Sequence, residues 1–245
     1  MHRNQSDTRV DEIAADIFRI STHVPAAGPE GLTFNQFLVR DEQPFLFHTG
    51  MRRMYADVSA AVGRLVPLES LRWISFAHVE ADECGSMNRF LADAPAAAVV
   101  HGALACMVSI DDLADRAPTV SGDHPLELGT HRLRFVPTPH VPHGWESALW
   151  FDETTSTLLA GDLFTHHGNG PAVVSDDLVD PAMRAEVILN GTAHTSDHVA
   201  TLLALADLEP STLAVMHGSS FSGDGGAQLR ELAARSPRWE VDVGR

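Results

Sequence analysis

His78-Val79-Glu80-Ala81-Asp82-Glu83-Cys84-Gly85 is the stretch on which the fold and the chemistry turn. It follows the apolar run Leu71 to Phe76, which reads as a strand, and precedes a predicted helix over Gly85 to Ala92. It is therefore expected at the C-terminal end of a strand. Side chains of extended backbone alternate, so His78, Glu80 and Asp82 are expected to point the same way. One imidazole and two carboxylates converging at a strand end can hold one or two metal ions. A solvated loop of similar composition is the plainer alternative, and this segment by itself leaves both open.

Three further segments repeat the theme. Pro137-Thr138-Pro139-His140-Val141-Pro142-His143-Gly144-Trp145-Glu146-Ser147 offers two histidines on a path that its prolines keep non-helical. Leu158-Leu159-Ala160-Gly161-Asp162-Leu163-Phe164 is an apolar strand ending in one acid, a costly placement unless the acid is paired or metal-bound. Leu213-Ala214-Val215-Met216-His217-Gly218 is another apolar strand, ending in a histidine, with a glycine that permits close backbone approach. Four strand ends thus each deliver a His, an acid or both.

Around these ends the chain mixes strands and helices. Ile17–Ser21, Leu32–Val39 and Pro44–His48 read as strands, and Met51–Leu65 as a helix. Ala97–His101 is a further strand. Leu126–Leu128 with Arg132–Val136, and Ala148–Phe151 with Thr157–Ala160, read as hairpins. Pro181–Leu189, Ser196–Leu208 and Ala227–Ala234 read as helices. Strand meanders in two halves, each followed by helices, predict an α/β fold of two packed sheets with helices outside. No linker, repeat or like-charge run divides the 245 residues, so one domain over 1–245 is expected.

Composition narrows the function. Thirty-three acidic residues face 17 basic ones, a formal charge of −16, which argues against nucleic acid or an anionic membrane as partner. All 17 basic residues are arginine, so lysine chemistry is excluded. Two cysteines, Cys84 and Cys106, are too few for a disulfide framework or a four-cysteine zinc site. The first residues lack the apolar core of a signal peptide, and the longest apolar stretch, Ala94 to Val108, is broken by Pro95, His101 and Gly102. A cytoplasmic protein with no membrane span is expected. The 14 histidines are where chemistry is concentrated.

The order His-x-Glu-x-Asp, then His, then Gly-Asp, then His-Gly resembles the metallo-β-lactamase superfamily. Zinc hydrolases of that superfamily usually carry His-x-His-x-Asp-His at the first site, whereas here Glu80 and Glu83 stand at the second and last histidine positions. His-x-Glu-x-Asp instead resembles the di-iron core of flavodiiron proteins and of stand-alone oxygen-binding di-iron proteins. Thr33-Phe34-Asn35-Gln36-Phe37-Leu38-Val39, Trp73, and His143-Gly144-Trp145-Glu146-Ser147, nineteen residues before Asp162, extend the likeness over about residues 15 to 235. The resemblance implies a four-layer αβ/βα sandwich. It also implies two iron ions: one held by His78, Glu80 and His143, the other by Asp82 and His217, with Asp162 bridging. Glu83 and His140 are further candidate ligands. His48, in Phe47-His48-Thr49-Gly50, stands where the superfamily often has Asp, so the support behind the ligands is expected to differ.

Glu80 discriminates among metals, because carboxylates mixed with imidazoles favour harder ions such as iron or manganese, and a histidine-rich site favours zinc. No organic base or nucleophile accompanies the ligands, so none is assigned a catalytic role beyond them. The first reading is a di-iron redox protein that binds or reduces O2 or NO. A metal-dependent hydrolase with zinc or manganese is the second, and a non-catalytic oxygen sensor the third. No Gly-rich phosphate loop or flavodoxin-like segment is found up to Arg245, so a separate electron donor is expected. Pairing into a homodimer is expected from the family resemblance alone. Other histidines are assigned bland roles: His101 as a satisfied structural residue, His166 and His167 as loop residues, His194 and His198 as a surface helix pair. His2, His23, His124 and His131 are assigned to the surface.

Overall fold

The computed structural model describes residues 8–236. His2 lies outside them.

The first sheet, among the described residues, runs β1 (Thr8–Ala14), β2 (Ile17–Val24), β3 (Leu32–Val39), β4 (Phe45–Phe47), β5 (Trp73–Ser75), β6 (Ala98–His101) and β7 (Thr119–Val120), in that spatial order. Its first four strands pair antiparallel and the rest parallel. The second contains β8 (Leu126–Glu127), β9 (Arg132–Pro137), β10 (Ala148–Asp152), β11 (Thr157–Leu159), β12 (Val173–Val174), β13 (Thr212–Ala214) and β14 (Ser220–Ser222), ordered β12-β14-β13-β11-β10-β9-β8. Helices α1 (Tyr55–Val62), α2 (Ala81–Cys84), α3 (Met87–Asp93), α4 (Ala103–Ala105), α5 (Asp111–Leu113), α6 (Val179–Leu189), α7 (His198–Ala206) and α8 (Gly225–Arg235) complete the chain.

Strand alternation sorts the core into layers. From β3 to β5, Phe37, Val39, Phe45, Phe47 and Trp73 join a cluster with Trp150, Leu158 and Leu159 of the second sheet. Their neighbours Phe34, Leu38, Leu46 and Ile74 join a second cluster with Val58 and Ala61 of α1 and Phe90 and Leu91 of α3. On the other side, α6, α7 and α8 bring Val179, Leu202, Leu205 and Leu229 onto the second sheet's cluster. The layering is helix–sheet–sheet–helix, as expected. Trp150 ties the sheets together: it is fully buried, meets Phe45 and Phe135 edge-on, and its indole N–H donates to Ser75 Oγ at 2.9 Å. Burial of so large a ring stabilises by about 2–3 kcal/mol, and the hydrogen bond removes the cost of hiding its one polar atom.

Differences from the sequence reading are local. The helix expected over Met51–Leu65 begins as a 3-10 turn, Arg52–Met54, and closes at Gly63, whose N–H bonds Ser59 O. Strand β1 was not anticipated, because only Ile13 in it is buried and its apolar signal is correspondingly weak. His131, expected at the surface, is buried: its Nδ1 lies 2.9 Å from Asp152 Oδ2.

Asp152 also accepts from Thr155 Oγ1 at 2.6 Å and from the Thr155 N–H at 3.1 Å. It lies beside Thr157 at the start of β11, the end of the strand away from Asp162. Burial pushes the Asp152 carboxyl up, but His131 and Thr155 outweigh it and hold it low; the same hydrogen bond raises His131. The Asp152 contribution is therefore complete above the ordinary carboxylate range and lost as pH falls through its depressed value. The His131 contribution is complete below the ordinary imidazole value and lost as pH rises through its raised one. Asp152→Asn is expected to lower the unfolding free energy by about 2 kcal/mol near pH 5.5, and by less at pH 3 or pH 9. Urea unfolding at the three pH values measures it.

Candidate metal centre

The four segments meet at one edge of the sandwich. His78 follows β5, His143 lies between β9 and β10, Asp162 follows β11 and His217 follows β13. Extended backbone ends with β5: the chain bends over residues 77–79, where the Glu80 N–H donates to His78 O at 3.0 Å, and Glu80 alone is extended again (φ −132°, ψ 157°). There the chain turns into α2, with the Cys84 N–H donating to Glu80 O at 2.8 Å. Asp82 thus reaches inward from a helical turn, which is where the expectation of three aligned side chains fails.

His78, Glu80, His143 and Asp162 each offer one ligand-type atom within 4.8 Å of the others. His78 Nε2 is 3.6 Å from Glu80 Oε2 and 3.8 Å from Asp162 Oδ2; His143 Nε2 is 3.7 Å from Glu80 Oε1 and 3.4 Å from Asp162 Oδ2. The other oxygen of Asp162, Oδ1, lies 3.3 Å from His217 Nε2, which is 3.4 Å from Asp82 Oδ2. Most of these spacings exceed good hydrogen bonds. Two donors each about 2.1 Å from one ion stand roughly 3–4 Å apart, so the spacings suit cations lodged between the side chains. His78 Nε2 and Asp162 Oδ1 are buried without a hydrogen-bond partner, the condition a bound cation relieves.

His217 and the loops that carry the ligands are held by other residues. His217 Nδ1–H donates to Thr33 O at 2.8 Å, which leaves the Nε2 lone pair facing the cluster. Thr33 Oγ1 accepts from the Gly218 N–H, and Asn35 Nδ2 and Arg19 Nη2 both donate to Gly218 O at 2.9 Å, so the first sheet grips the loop of the second. Gly218 sits at φ +116°, with the His166 ring 2.3 Å from where a Cβ would be. His166 Nδ1 bonds Phe164 O and its Nε2 accepts from the Ser219 N–H. It is therefore a strut of the ligand loop. Glu146 Oε1 accepts from the Val79 N–H at 3.0 Å and ties the His143 loop to the His78 loop.

Glu83 and His140 stand elsewhere than the candidate ligand set had them. Glu83 is buried behind His78. Its Oε2 accepts from the Ala77 and His78 N–H groups at 2.7 Å each, and its Oε1 lies 3.3 Å from His78 Nδ1, the nitrogen facing away from Glu80. Two backbone donors draw the carboxylate there. His48 Nε2 is 3.5 Å from the same oxygen, and burial lowers this imidazole to about 3, so it is neutral. His140 takes a left-handed turn (φ 64°) and its side chain is exposed, while His143 turns in. His101 is satisfied as expected: Nδ1 accepts from the Gly102 N–H and Nε2 lies 3.3 Å from Ala77 O.

Burial lowers the His78 and His217 imidazoles, but the carboxylates around them outweigh it and raise both to about 10. Burial likewise opposes ionisation of Asp162, yet His217, His78 and His143 hold it well below the carboxylate range. A pocket whose central acid, Asp162, is held ionised by the positive charge around it is suited to cations.

A family model described as "ODP family beta lactamase" matches residues 32–218, which contain every side chain of the cluster. The chain belongs to the ODP family. Its relatives include diflavin flavoprotein A 2 of Synechocystis sp., 32% identical over 141 residues, and diflavin flavoprotein A 3 of Nostoc sp., 32% identical over 156 residues. These matches cover 56% and 60% of this chain but 24% and 26% of theirs, so the ODP chain spans about a quarter of their length. Its fold matches the metal-soaked flavodiiron core of Flv1 from Synechocystis sp. (TM-score 0.76, 23% identity, 94% of this chain and 60% of that one). It also matches the rubredoxin oxygen:oxidoreductase of Desulfovibrio gigas (TM-score 0.78, 16% identity, 94% and 62%). A fragment, residues 1–254, of a Nostoc diflavin flavoprotein A 5 covers it nearly end to end (TM-score 0.80, 19% identity, 95% and 96%). The ODP chain thus has the fold of a flavodiiron core.

Glu83→Ala strands two buried backbone donors and is expected to cost about 2–3 kcal/mol of stability. His140→Ala removes an exposed ring and should change stability by under about 0.5 kcal/mol. Urea denaturation of both variants checks the contrast; equal effects would mean Glu83 does not hold the loop.

Proposed function

We propose that this ODP-family chain holds two iron ions and binds or reduces O2 or NO with them. His78, Glu80 and His143 would hold one ion and Asp82 and His217 the other, with Asp162 between them. The observation that carries this reading is the Glu80 carboxylate. Its side chain is half exposed, yet both oxygens turn inward, one toward His78 Nε2 at 3.6 Å and one toward His143 Nε2 at 3.7 Å. With Glu80 in that place the donor set is three imidazoles and three carboxylates, which favours iron over zinc. The flavodiiron relatives support the same choice.

When bound, two such ions would supply the electrons and the open positions at which a small diatomic gas is taken up. The chain's own residues do the positioning. Thr33 O accepts from the outer nitrogen of His217, and Glu83 Oε1 stands 3.3 Å from the outer nitrogen of His78. Leu32, Pro142, Leu189 and Thr192 border the cavity that His143, Asp162 and His217 line. The reductant is a partner or domain outside residues 8–236. Among the described residues no helix is long and apolar enough to cross a membrane.

Protein purified from iron-supplied cells is expected to contain about two iron ions per chain and to change its visible absorption on exposure to O2. Asp162→Ala should lose both ions, whereas Glu80→His should retain metal with zinc displacing iron. Elemental analysis with anaerobic and aerobic spectra measures this. Iron-free protein that turns over esters, lactones or phosphodiesters with zinc would overturn the reading.

A further inference from the structure

Beside the cluster lies a cavity of about 130 Å³ with Asp162 in its wall. Leu163, Phe164, Ala182, Met183 and Leu232 give it carbon surfaces, and all of these but Met183 are at least nine-tenths buried. Pro142, Asp162, Thr165 and Leu189 also line the cavity that His143 and His217 border, so the two spaces adjoin.

Polar residues stand in the wall, but their polar atoms are engaged or closed off. The two histidines do not form the exposed helical pair expected from their spacing. His194 lies in the loop before α7 at φ 45°, and His198 opens α7 with 4% of its surface exposed. The Nδ1 atoms of both have no accessible surface. Ser236 Oγ donates to Leu232 O at 2.8 Å and lies 3.2 Å from His198 Nε2. Thr165 Oγ1 donates to Asp162 O at 2.8 Å. Glu186 takes the Thr192 N–H on one oxygen at 3.1 Å and the Gly191 N–H on the other at 3.2 Å. Asp162 turns Oδ1 to His217 and Oδ2 to His78 and His143.

A polar ligand therefore finds no converging set of free donors or acceptors in this space, whereas an apolar one finds carbon walls. Size narrows the choice further. Pockets for organic ligands span roughly 300–1,000 Å³, well above this volume. Apolar cavities of about 150 Å³ stay dry and take up xenon or benzene. An uncharged diatomic gas gains in the same way by leaving water for apolar surroundings.

We infer that this cavity is a holding site for a small uncharged gas, O2 or NO, which passes from it by Asp162 and Leu189 to the centre. The identity of the gas rests on the iron reading; the capacity of the cavity for an apolar gas does not.

The test is diffraction from crystals of the full chain under xenon pressure, as purified and after metal removal by chelation. A xenon peak is expected among Phe164, Met183 and Leu232 in both. Ala182→Phe, which fills the cavity, is expected to abolish the peak. It should also slow O2 uptake by the reduced protein at least about tenfold in stopped-flow absorbance, with metal content unchanged. Val187→Phe, on the exposed face of α6, should change neither. Because Ala182 is buried, Met183→Trp is a second filling variant, and circular dichroism checks the fold of both. No xenon in the cavity of the unaltered chain would overturn the inference. So would unchanged O2 uptake in a folded variant that has lost its xenon. Iron content, measured on the same samples, reports separately: iron-free protein that still takes up xenon sinks the iron reading and upholds the cavity as an apolar gas site.

Discussion

Asp162 has one carboxylate and three imidazoles around it. Oδ1 faces His217, and Oδ2 faces His143 and His78. This acid ends an apolar strand, is enclosed by the cluster, and stays ionised only because positive charge stands on both sides. A carboxylate in such a place costs several kcal/mol when unpaired. The loops after β5, β11 and β13 and between β9 and β10 must therefore arrive together. The two sheets exist, in this sense, to bring their ends to one point. The tie through Trp150 and Ser75, and the grip of Thr33, Asn35 and Arg19 on Gly218, hold them in register.

Around that acid the chain divides its labour. Residues facing inward present lone pairs and charge; residues behind them set direction. Glu83 shows why the two layers need each other. Its carboxyl takes two backbone N–H groups of the His78 loop on one oxygen and turns the other toward the outer nitrogen of the same imidazole, so its position fixes the loop that carries the ring. His48 closes the layer as a neutral partner of that carboxylate, which differs from the acid the superfamily often carries there.

Much of this was legible in the sequence, for a physical reason. A strand buried on both faces has no use for a charged residue at its end unless that residue has a partner. Asp162 and His217, each closing an apolar run, therefore announced themselves, and so did His78 after Leu71 to Phe76. The supporting layer was not legible in the same way. Thr33 and Asn35 act on Gly218 through backbone atoms some 180 residues away, and no local pattern marks such a partner. Asp82 is expected on extended backbone and comes from a helical turn, since the chain bends over residues 77–79 and enters α2 directly after Glu80. His131 was assigned to the surface because its partner, Asp152, lies on the neighbouring strand. His194 and His198 were read as a helix face because their spacing is helical, but the helix starts only at His198.

The proposed function rests on the Asp162 carboxylate being shared by two iron ions that side chains from four strand ends would hold. Anomalous diffraction at the iron edge, on crystals of iron-reconstituted protein, tests it most directly. Two iron peaks are expected roughly 3.5–4 Å apart, one on each side of the Asp162 carboxylate, with Glu80 on the peak shared by His78 and His143. A single peak, or two peaks with Glu80 turned away from both, would contradict it.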